Sequence, residues 1–226
     1  MKPEGVRAYI FDVDDTVYEE KQFVRAAMKD VSLYLSEKYG IPSDRIYDFC
    51  MNSIESGHRG RTFNMLCEEF SIDEDVDKIV DIYRSCETKL DLYDDTKELI
   101  EKIKSAGLKI GVITDGFSKV QRSKVKGLGL FEIADAVIIS YDYTDENGKP
   151  LCKPDTRVYE MCLEKLGVKP EESVYIGDNP LKDFIGARKL GMKTVHIKRK
   201  GSMFENETAA EGYKADLEIE KLTQLM

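Results

Sequence analysis

The sequence lacks long hydrophobic runs. Its longest uninterrupted apolar stretches cover only four or five of the 226 residues, whereas a membrane-spanning helix needs about 20. The first residues, Met1 to Gly5, contain no apolar signal core and lead directly into a strand-like segment. We therefore expect a cytoplasmic protein that has no membrane partner.

Positive charge is also in deficit. The chain carries 34 basic and 43 acidic residues, which gives a formal net charge of −9. Proteins that bind nucleic acid use clustered Lys and Arg against the phosphate backbone, so this balance argues against nucleic acid as the main partner. A small anionic substrate is still compatible with it, because a local pocket can be positive on an acidic protein.

Paired cysteines are missing as well. The five cysteines are widely spaced and none belongs to a Cys-x-x-Cys pair: they are Cys50, Cys67, Cys86, Cys152 and Cys162. The pattern predicts neither a disulfide framework nor a zinc site. We expect buried thiols in a reducing compartment.

What the sequence does contain, from residue 92 onward, is a regular alternation of helical patterns with short apolar segments. The apolar segments predict buried strands at residues 108–113, 136–139, 173–176 and 194–197, the last of the series, and an earlier strand is predicted at 7–11. Helices are predicted at 94–105, 118–126, 155–166 and 181–190. This alternation indicates an α/β fold, a doubly wound, Rossmann-like parallel sheet covered on both faces.

Between the first strand and residue 92 the chain changes character. Four segments have helical patterns and no convincing strand lies among them: 20–39, 43–55, 62–70 and 73–90. We expect an inserted all-helical subdomain at 17–91. The α/β core would then consist of 1–16 and 92–226.

Acidic and hydroxyl side chains follow the predicted strands where each strand ends. Asp12 and Asp14 come directly after the first strand, Thr114 follows the second, and Asp178 and Asp183 follow the segment at 173–176. Because the carboxyl ends of parallel strands meet at one crevice, we expect these side chains to lie close together.

Such a cluster needs positive charge. Two unit charges about 4 Å apart interact by roughly 4 kcal/mol at an effective dielectric of 20, so Asp12, Asp14 and Asp178 must take up protons or recruit cations. Ligands that are all oxygen favour a hard divalent ion such as Mg²⁺. Lys153 is the candidate for a second positive charge; Lys149 also precedes a proline, but a turn signal comes just before it. Together these groups indicate a site for a phosphoryl group.

These residues resemble the four motifs of the haloacid dehalogenase superfamily. Asp12-Val13-Asp14-Asp15-Thr16 matches the family's Asp-x-Asp-x-Thr signature, and Thr114 matches its Ser/Thr motif. Lys153-Pro154-Asp155 matches the lysine motif, and Gly177-Asp178 with Asp183 matches the acidic motif. Four motifs in the right order are a specific signal, whereas any one alone would be weak.

The resemblance implies a Mg²⁺-dependent phosphatase, a phosphoric monoester hydrolase whose substrate is a small phosphorylated metabolite. Asp12 would attack phosphorus and form an aspartyl-phosphate. Asp14 would protonate the leaving alcohol and later deprotonate the hydrolytic water. Thr114 and Lys153 would hold the transferring phosphoryl oxygens. The helical segment 17–91 falls where members of this type carry a helical cap subdomain.

The resemblance also implies the metal ligands. Asp12, Asp178 and the backbone carbonyl of Asp14 would hold Mg²⁺. Asp183 is expected to support the metal shell or Lys153 rather than to bind the ion directly, and Asn179 is a candidate for the surrounding shell. Asp15 is expected to point away from its neighbours and to cap the next segment.

Candidate substrate contacts lie in two places. Asp115 and Gly116 follow Thr114, and Asp115 stands where the family often has asparagine, which adds a carboxylate near the site. Arg59 and Arg61 belong to a basic loop at 56–61 of the insert and could bind an anionic group of the substrate. The ordinary alternative for this loop is a solvated connection between helices.

Two other functions remain open. A phosphomutase of the same superfamily shares the chemistry but returns the phosphoryl group to the substrate. A phosphoacceptor without turnover, such as a signalling receiver, or a binding module built on this fold would use similar residues. Dehalogenation of haloalkanoates would leave Asp14 without a task. The particular ester and the oligomeric state are not predicted.

Overall fold

The computed structural model describes residues 5–225, and the chain divides into two compact units. One unit comprises the residues up to Glu20 together with those from Leu90 onward, and the other runs from Lys21 to Lys89. None of the helices among the described residues is long and apolar enough to cross a membrane.

In the described part of the chain, the discontinuous unit is built on a parallel sheet of six strands. The strands are β1 Ala8–Phe11, β2 Lys109–Thr114, β3 Ala136–Ile139, β4 Ser173–Gly177, β5 Lys193–Ile197 and β6 Leu217–Ile219. They lie in the order β3-β2-β1-β4-β5-β6, and every neighbouring pair is parallel. The order reverses direction at β1, and the crevice outside such a switch point is where open α/β sheets bind ligands. The predicted α/β parallel-sheet fold is confirmed.

The continuous unit is entirely helical within the described residues. It contains α1 Lys21–Tyr39, α2 Ser43–Glu55, α3 Thr62–Phe70 and α4 Val76–Arg84. The helices pack around a shared apolar core whose innermost members are fully buried: Val31, Leu35, Ile46, Leu66 and Ile79. The unit therefore has a core of its own.

Within residues 5–225, five α-helices accompany the sheet: α5 Asp94–Ser105, α6 Ser118–Gly127, α7 Leu130–Ile133, α8 Thr156–Leu166 and α9 Asp183–Lys189. Capping residues set both ends of α8. The Asp155 side chain accepts a hydrogen bond from the Arg157 N–H at the first turn, and Gly167 closes the helix in the left-handed conformation. Every residue of β1 and β4 is buried, as continuous apolar strands covered on both faces require.

Several elements differ from the prediction. β6 was not predicted and pairs beside β5, so residues 194–197 are not the last strand; a three-residue strand is too short to show a periodic pattern. The last helix of the insert ends at Arg84 rather than at residue 90, and α9 begins at Asp183 rather than at residue 181. Boundaries are where patterns of periodicity carry least information.

The helical unit begins at Lys21 and ends at Lys89, a few residues inside the predicted bounds of 17 and 91. The backbone of Tyr18 forms bridges with Asp14 and with Leu92, and the Tyr93 N–H donates to the Val17 carbonyl at 3.0 Å. These bonds join the two connecting segments to each other. That the helical unit serves as a cap stays a prediction.

Phe184 tests how strongly the core beneath α8 and α9 stabilises the sheet unit. Its side chain is fully buried, and its ring centroid lies 5.5 Å from that of His196. We expect Phe184→Ala to lower the free energy of unfolding by about 3–5 kcal/mol, because the substitution removes apolar contact and leaves a cavity. Urea titration followed by circular dichroism measures the loss.

Phe131→Ala is the matched control, since Phe131 belongs to the same unit and is 40 % exposed. It should cost much less stability. Equal losses for the two variants would show that burial does not set the contribution of Phe184.

Candidate active site

The first two acidic residues lie where β1 ends. The Asp12 N–H donates to the Ile176 carbonyl of β4 at 2.9 Å, so Asp12 still belongs to the sheet edge. The chain then turns, with Asp15 at a φ of +49°. The Asp15 carboxylate accepts from the Glu20 N–H at 2.9 Å, just before α1, as predicted for a capping residue.

Three carboxylates converge at the ends of β1 and β4. Carboxylate oxygens of Asp12, Asp178 and Asp183 lie within 4.8 Å of one another, and all three residues are buried. We call this group the acidic triad. Gly177 makes the close approach possible: a Cβ built there would lie 2.7 Å from the Asp183 Cγ. Only a glycine leaves room for that carboxylate.

Lys153 lies against the triad. Its Nζ is 2.8 Å from the Asp12 Oδ1 and 2.9 Å from the Asp183 Oδ1, and it donates to the Tyr175 Oη at 2.9 Å. Its side chain is fully buried, which is tolerable only for a paired ammonium. Lys149, the competing lysine, is exposed in the loop between β3 and α8.

The charges of this cluster do not balance. Burial raises the pKa of Asp12 to about 6, because the Lys153 ammonium only partly offsets it and Asp183 adds to it. Burial and the nearby charges of Asp12 and Asp183 hold the pKa of Asp178 well above its usual range. Burial would lower the pKa of Lys153, but its carboxylate partners outweigh this and raise that pKa. The arrangement favours the arrival of further positive charge, and oxygen ligands suit Mg²⁺.

Asp14 faces a different set of partners. Its Oδ1 accepts from the Tyr18 Oη at 2.7 Å and from the Lys124 Nζ at 2.7 Å, and its Oδ2 accepts from the Gln121 Nε2 at 3.1 Å. Burial would raise the pKa of Asp14, but the Lys124 charge and these three hydrogen bonds outweigh it and hold the pKa below its usual range. Three donors thus hold the side chain of Asp14 firmly in place.

Thr114 lies at the carboxyl end of β2 and is 1 % exposed. Its Oγ1 donates to the Gln121 Oε1 at 3.0 Å. Gly116, two residues further on, has a φ of +134°, and a Cβ there would lie 3.0 Å from the Gln121 Nε2. The loop after β2 and the helix that follows it are therefore packed tightly around one glutamine.

The Asp115 carboxylate is bound by protein donors rather than by solvent alone. Its Oδ2 lies 2.9 Å from the Lys182 Nζ, and its Oδ1 accepts from the Lys153 N–H at 3.2 Å. Burial would raise the pKa of Asp115, but Lys153 and Lys182 hold it below its usual value. Asn179 supports the triad through its backbone, since its N–H donates to the Asp183 Oδ2 at 2.9 Å.

Arg59 and Arg61 lie in the helical unit, in the loop between α2 and α3, and both are exposed. The Arg61 N–H donates to the His58 carbonyl at 2.8 Å, which closes a turn of that loop. A substrate contact for either arginine stays a prediction.

Sequence reasoning missed several side chains that line the site: Tyr18, Gln121, Lys124, Tyr175 and Lys182. The His196 Nε2 also lies 2.9 Å from the Asp178 carbonyl oxygen. One signal was available. Gln121 and Lys124 occupy the same helical face as Val120 and Val125, so the buried stripe of α6 contains two polar residues.

Comparisons with known proteins fit this geometry. The profile of the haloacid dehalogenase-like hydrolase family matches residues 9–197, and the chain belongs to that family. A glyceraldehyde 3-phosphate phosphatase from Methanocaldococcus jannaschii is 30 % identical over 202 residues, which cover 85 % of each chain. One from Methanopyrus kandleri is 27 % identical over 230 residues, covering 98 % of this chain and 96 % of the relative.

Among solved structures, a HAD phosphatase from Thermococcus onnurineus matches with a TM-score of 0.60 and 28 % sequence identity. The match covers 97 % of this chain and 96 % of that one. The resemblance seen in the four motifs is confirmed at the level of the family, and the predicted enzyme class, a phosphoric monoester hydrolase, agrees with these relatives.

The triad contains one carboxylate that opposes folding and one that supports it. We expect Asp178→Asn to raise the melting temperature in EDTA by a few degrees, about 1 kcal/mol, because it removes a buried carboxyl group whose ionisation is opposed by burial and by Asp12 and Asp183. Asp183→Asn should instead lower stability by roughly 3–5 kcal/mol, because it breaks the buried pair with Lys153.

Differential scanning calorimetry of both variants in metal-free buffer measures the contrast, and the wild type is the reference. Two shifts of the same sign would contradict this assignment of repulsion to Asp178 and of attraction to Asp183.

Proposed function

We propose that the chain is a Mg²⁺-dependent phosphatase that hydrolyses a small phosphorylated metabolite through an aspartyl-phosphate on Asp12. The observation that carries the proposal is the acidic triad with Lys153 buried against it. A site that gathers carboxylates and also excludes water is unfavourable unless it serves a cation and an anionic substrate together. A cytoplasmic location without nucleic-acid or membrane partners stays a prediction from composition.

The donor set suits Mg²⁺. Asp12 and Asp178 offer carboxylate oxygens, and the Asp14 carbonyl is the third protein ligand that we propose. Asp183 is engaged with Lys153 and with the Asn179 N–H, so we assign it to holding the site rather than to binding the ion. When bound, Mg²⁺ supplies charge that offsets the phosphoryl oxygens and the carboxylates.

Asp12 is the proposed nucleophile. Its Oδ1 is held by Lys153, which leaves the second carboxylate oxygen to attack phosphorus. The bond from phosphorus to the leaving oxygen breaks as the new bond forms. Asp14 enters this step in its protonated form, gives that proton to the leaving oxygen and becomes a carboxylate. Water then attacks the aspartyl-phosphate, Asp14 accepts a proton from it, and inorganic phosphate leaves. Lys153 and Thr114 hold the phosphoryl oxygens through both steps.

The substrate class rests on the relatives. Those from Methanocaldococcus jannaschii and Methanopyrus kandleri are named for glyceraldehyde 3-phosphate, so three-carbon phosphates are the first esters to test. We also propose that the helical unit is a cap subdomain that selects the ester. Arg59 and Arg61 are its candidate contacts for an anionic group.

Phosphate release with Mg²⁺ tests the reaction. We expect the wild type to release inorganic phosphate from at least one phosphorylated metabolite and to lose this activity in EDTA. Asp12→Asn should reduce turnover by at least about 10³-fold while the protein stays folded, because an amide is not a nucleophile here.

Asp15→Asn is the matched control, since it makes the same change three residues away at a carboxylate that caps the Glu20 N–H. It should keep activity within a few-fold. Equal phosphate release by Asp12→Asn and wild type would remove Asp12 as nucleophile, and isomerisation of a sugar phosphate without phosphate release would point to a mutase.

Arg59→Ala tests the cap contact. We expect it to raise KM for the best metabolite several-fold with little change in hydrolysis of p-nitrophenyl phosphate, because only the metabolite has a group for the guanidinium to bind. Arg45→Ala, an exposed arginine of α2, is the control. An unchanged KM for Arg59→Ala would leave the 56–61 loop as scaffolding.

A further inference from the structure

Helix α6 buries an unusual pair of side chains. Of its four buried residues two are apolar, Val120 and Val125, and two are polar, Gln121 and Lys124. Gln121 is 5 % exposed and Lys124 is 3 % exposed. The two lie three positions apart, so they share one face of the helix.

Both polar side chains end on Asp14. The Lys124 Nζ lies 2.7 Å from the Asp14 Oδ1 and 3.3 Å from the Glu20 Oε1. The Gln121 Nε2 lies 3.1 Å from the Asp14 Oδ2. Each carboxylate oxygen of Asp14 therefore has a donor from α6, and two anchors on one rigid helix fix the orientation of the carboxylate plane.

Gln121 also connects Asp14 to the phosphoryl site. While its Nε2 donates to Asp14, its Oε1 accepts from the Thr114 Oγ1 at 3.0 Å. One amide thus bridges a proposed phosphoryl-holding hydroxyl and the proposed acid–base carboxylate. Their relative position is set by a single planar group.

Stability alone does not account for this arrangement. A buried ion pair is often no more stabilising than apolar side chains of the same volume, since desolvation of the charges offsets their attraction. A helix that only covered the sheet would be served better by a continuous apolar stripe. The polar face points to a requirement of the reaction.

We infer that Gln121 and Lys124 are positioning residues for the proton transfers of Asp14. They hold the carboxylate in line with the leaving oxygen of the ester, at a fixed distance from the phosphoryl group held at Thr114. The inference rests on the proposed function, in which Asp14 protonates the leaving alcohol. Both side chains end on the Asp14 carboxylate, so we assign them to act through Asp14.

Leaving-group dependence isolates this role. An alkyl phosphate leaves as a strongly basic alkoxide and needs the proton of Asp14, whereas p-nitrophenyl phosphate leaves as a stable anion. The value of kcat/KM covers the steps up to the first irreversible one, transfer to Asp12, so it omits the later attack of water. The ratio of kcat/KM for an alkyl phosphate to that for p-nitrophenyl phosphate therefore reports on proton donation. A displaced Thr114 or a partly unfolded protein lowers kcat/KM for both esters alike and leaves the ratio unchanged.

The experiment compares Gln121→Met and Lys124→Met, which keep side-chain length and remove the hydrogen bonds, with the wild type. The alkyl ester is the one hydrolysed fastest, with glyceraldehyde 3-phosphate tried first. We expect the ratio to fall by about tenfold or more, within the roughly 10²–10⁴-fold that acid–base catalysis contributes. Lys124→Arg should restore much of it. In an Asp14→Asn background, Gln121→Met should leave the ratio unchanged, because the two act together.

Val125→Ala is the control for damage to the helix, since Val125 is fully buried on α6 and is not a donor to Asp14. It should leave the ratio unchanged. Normal ratios in both Met variants would overturn the inference and leave the proposed function standing. Absence of phosphate release from every ester by the wild type would overturn the proposed function and this inference with it. Gln121→Met and Lys124→Met each test the inference alone, so if one of them folds poorly the other still gives the result.

Discussion

The site depends on one buried interaction, the contact of the Lys153 ammonium with two carboxylates. Lys153 lies within 2.9 Å of both Asp12 and Asp183 and is itself fully enclosed. Without that charge, acids at the ends of adjacent strands would repel one another in a region shielded from water. With it, Asp183 is fixed and Asp12 is held in the position from which we propose that it attacks phosphorus, next to the buried carboxyl group of Asp178. The parallel sheet and Gly177 keep Lys153 and the three carboxylates of the acidic triad together.

Much of this could be predicted from the chain. Parallel strands end at a common edge, so acids that follow apolar segments must meet there, and Asp12, Asp178 and Asp183 do. The choice of Lys153 over Lys149 also followed from local signals, because a turn precedes Lys149 and a helix follows Lys153. The strand Leu217–Ile219 was missed, since three residues show no periodicity.

The rest could not be predicted, because strand ends reveal positions but not which helix side chains reach them. Gln121 and Lys124 share a helical face with Val120 and Val125, but only the packing of α6 shows that both side chains end on Asp14. Tyr18 was hidden for a similar reason: its hydroxyl reaches back four residues to Asp14, in a turn that no periodic pattern describes. The acids could be located from sequence, whereas the groups that orient them depend on tertiary packing.

Identification of the phosphorylated residue during turnover tests the central claim most directly. Acid-quenched samples taken during hydrolysis of a ³²P-labelled ester, digested and mapped by mass spectrometry, reveal where the phosphoryl group resides. An acyl phosphate on Asp12, released by hydroxylamine, is the result expected. Label found only in inorganic phosphate under conditions that accumulate the intermediate, or on another residue, would contradict catalysis through Asp12.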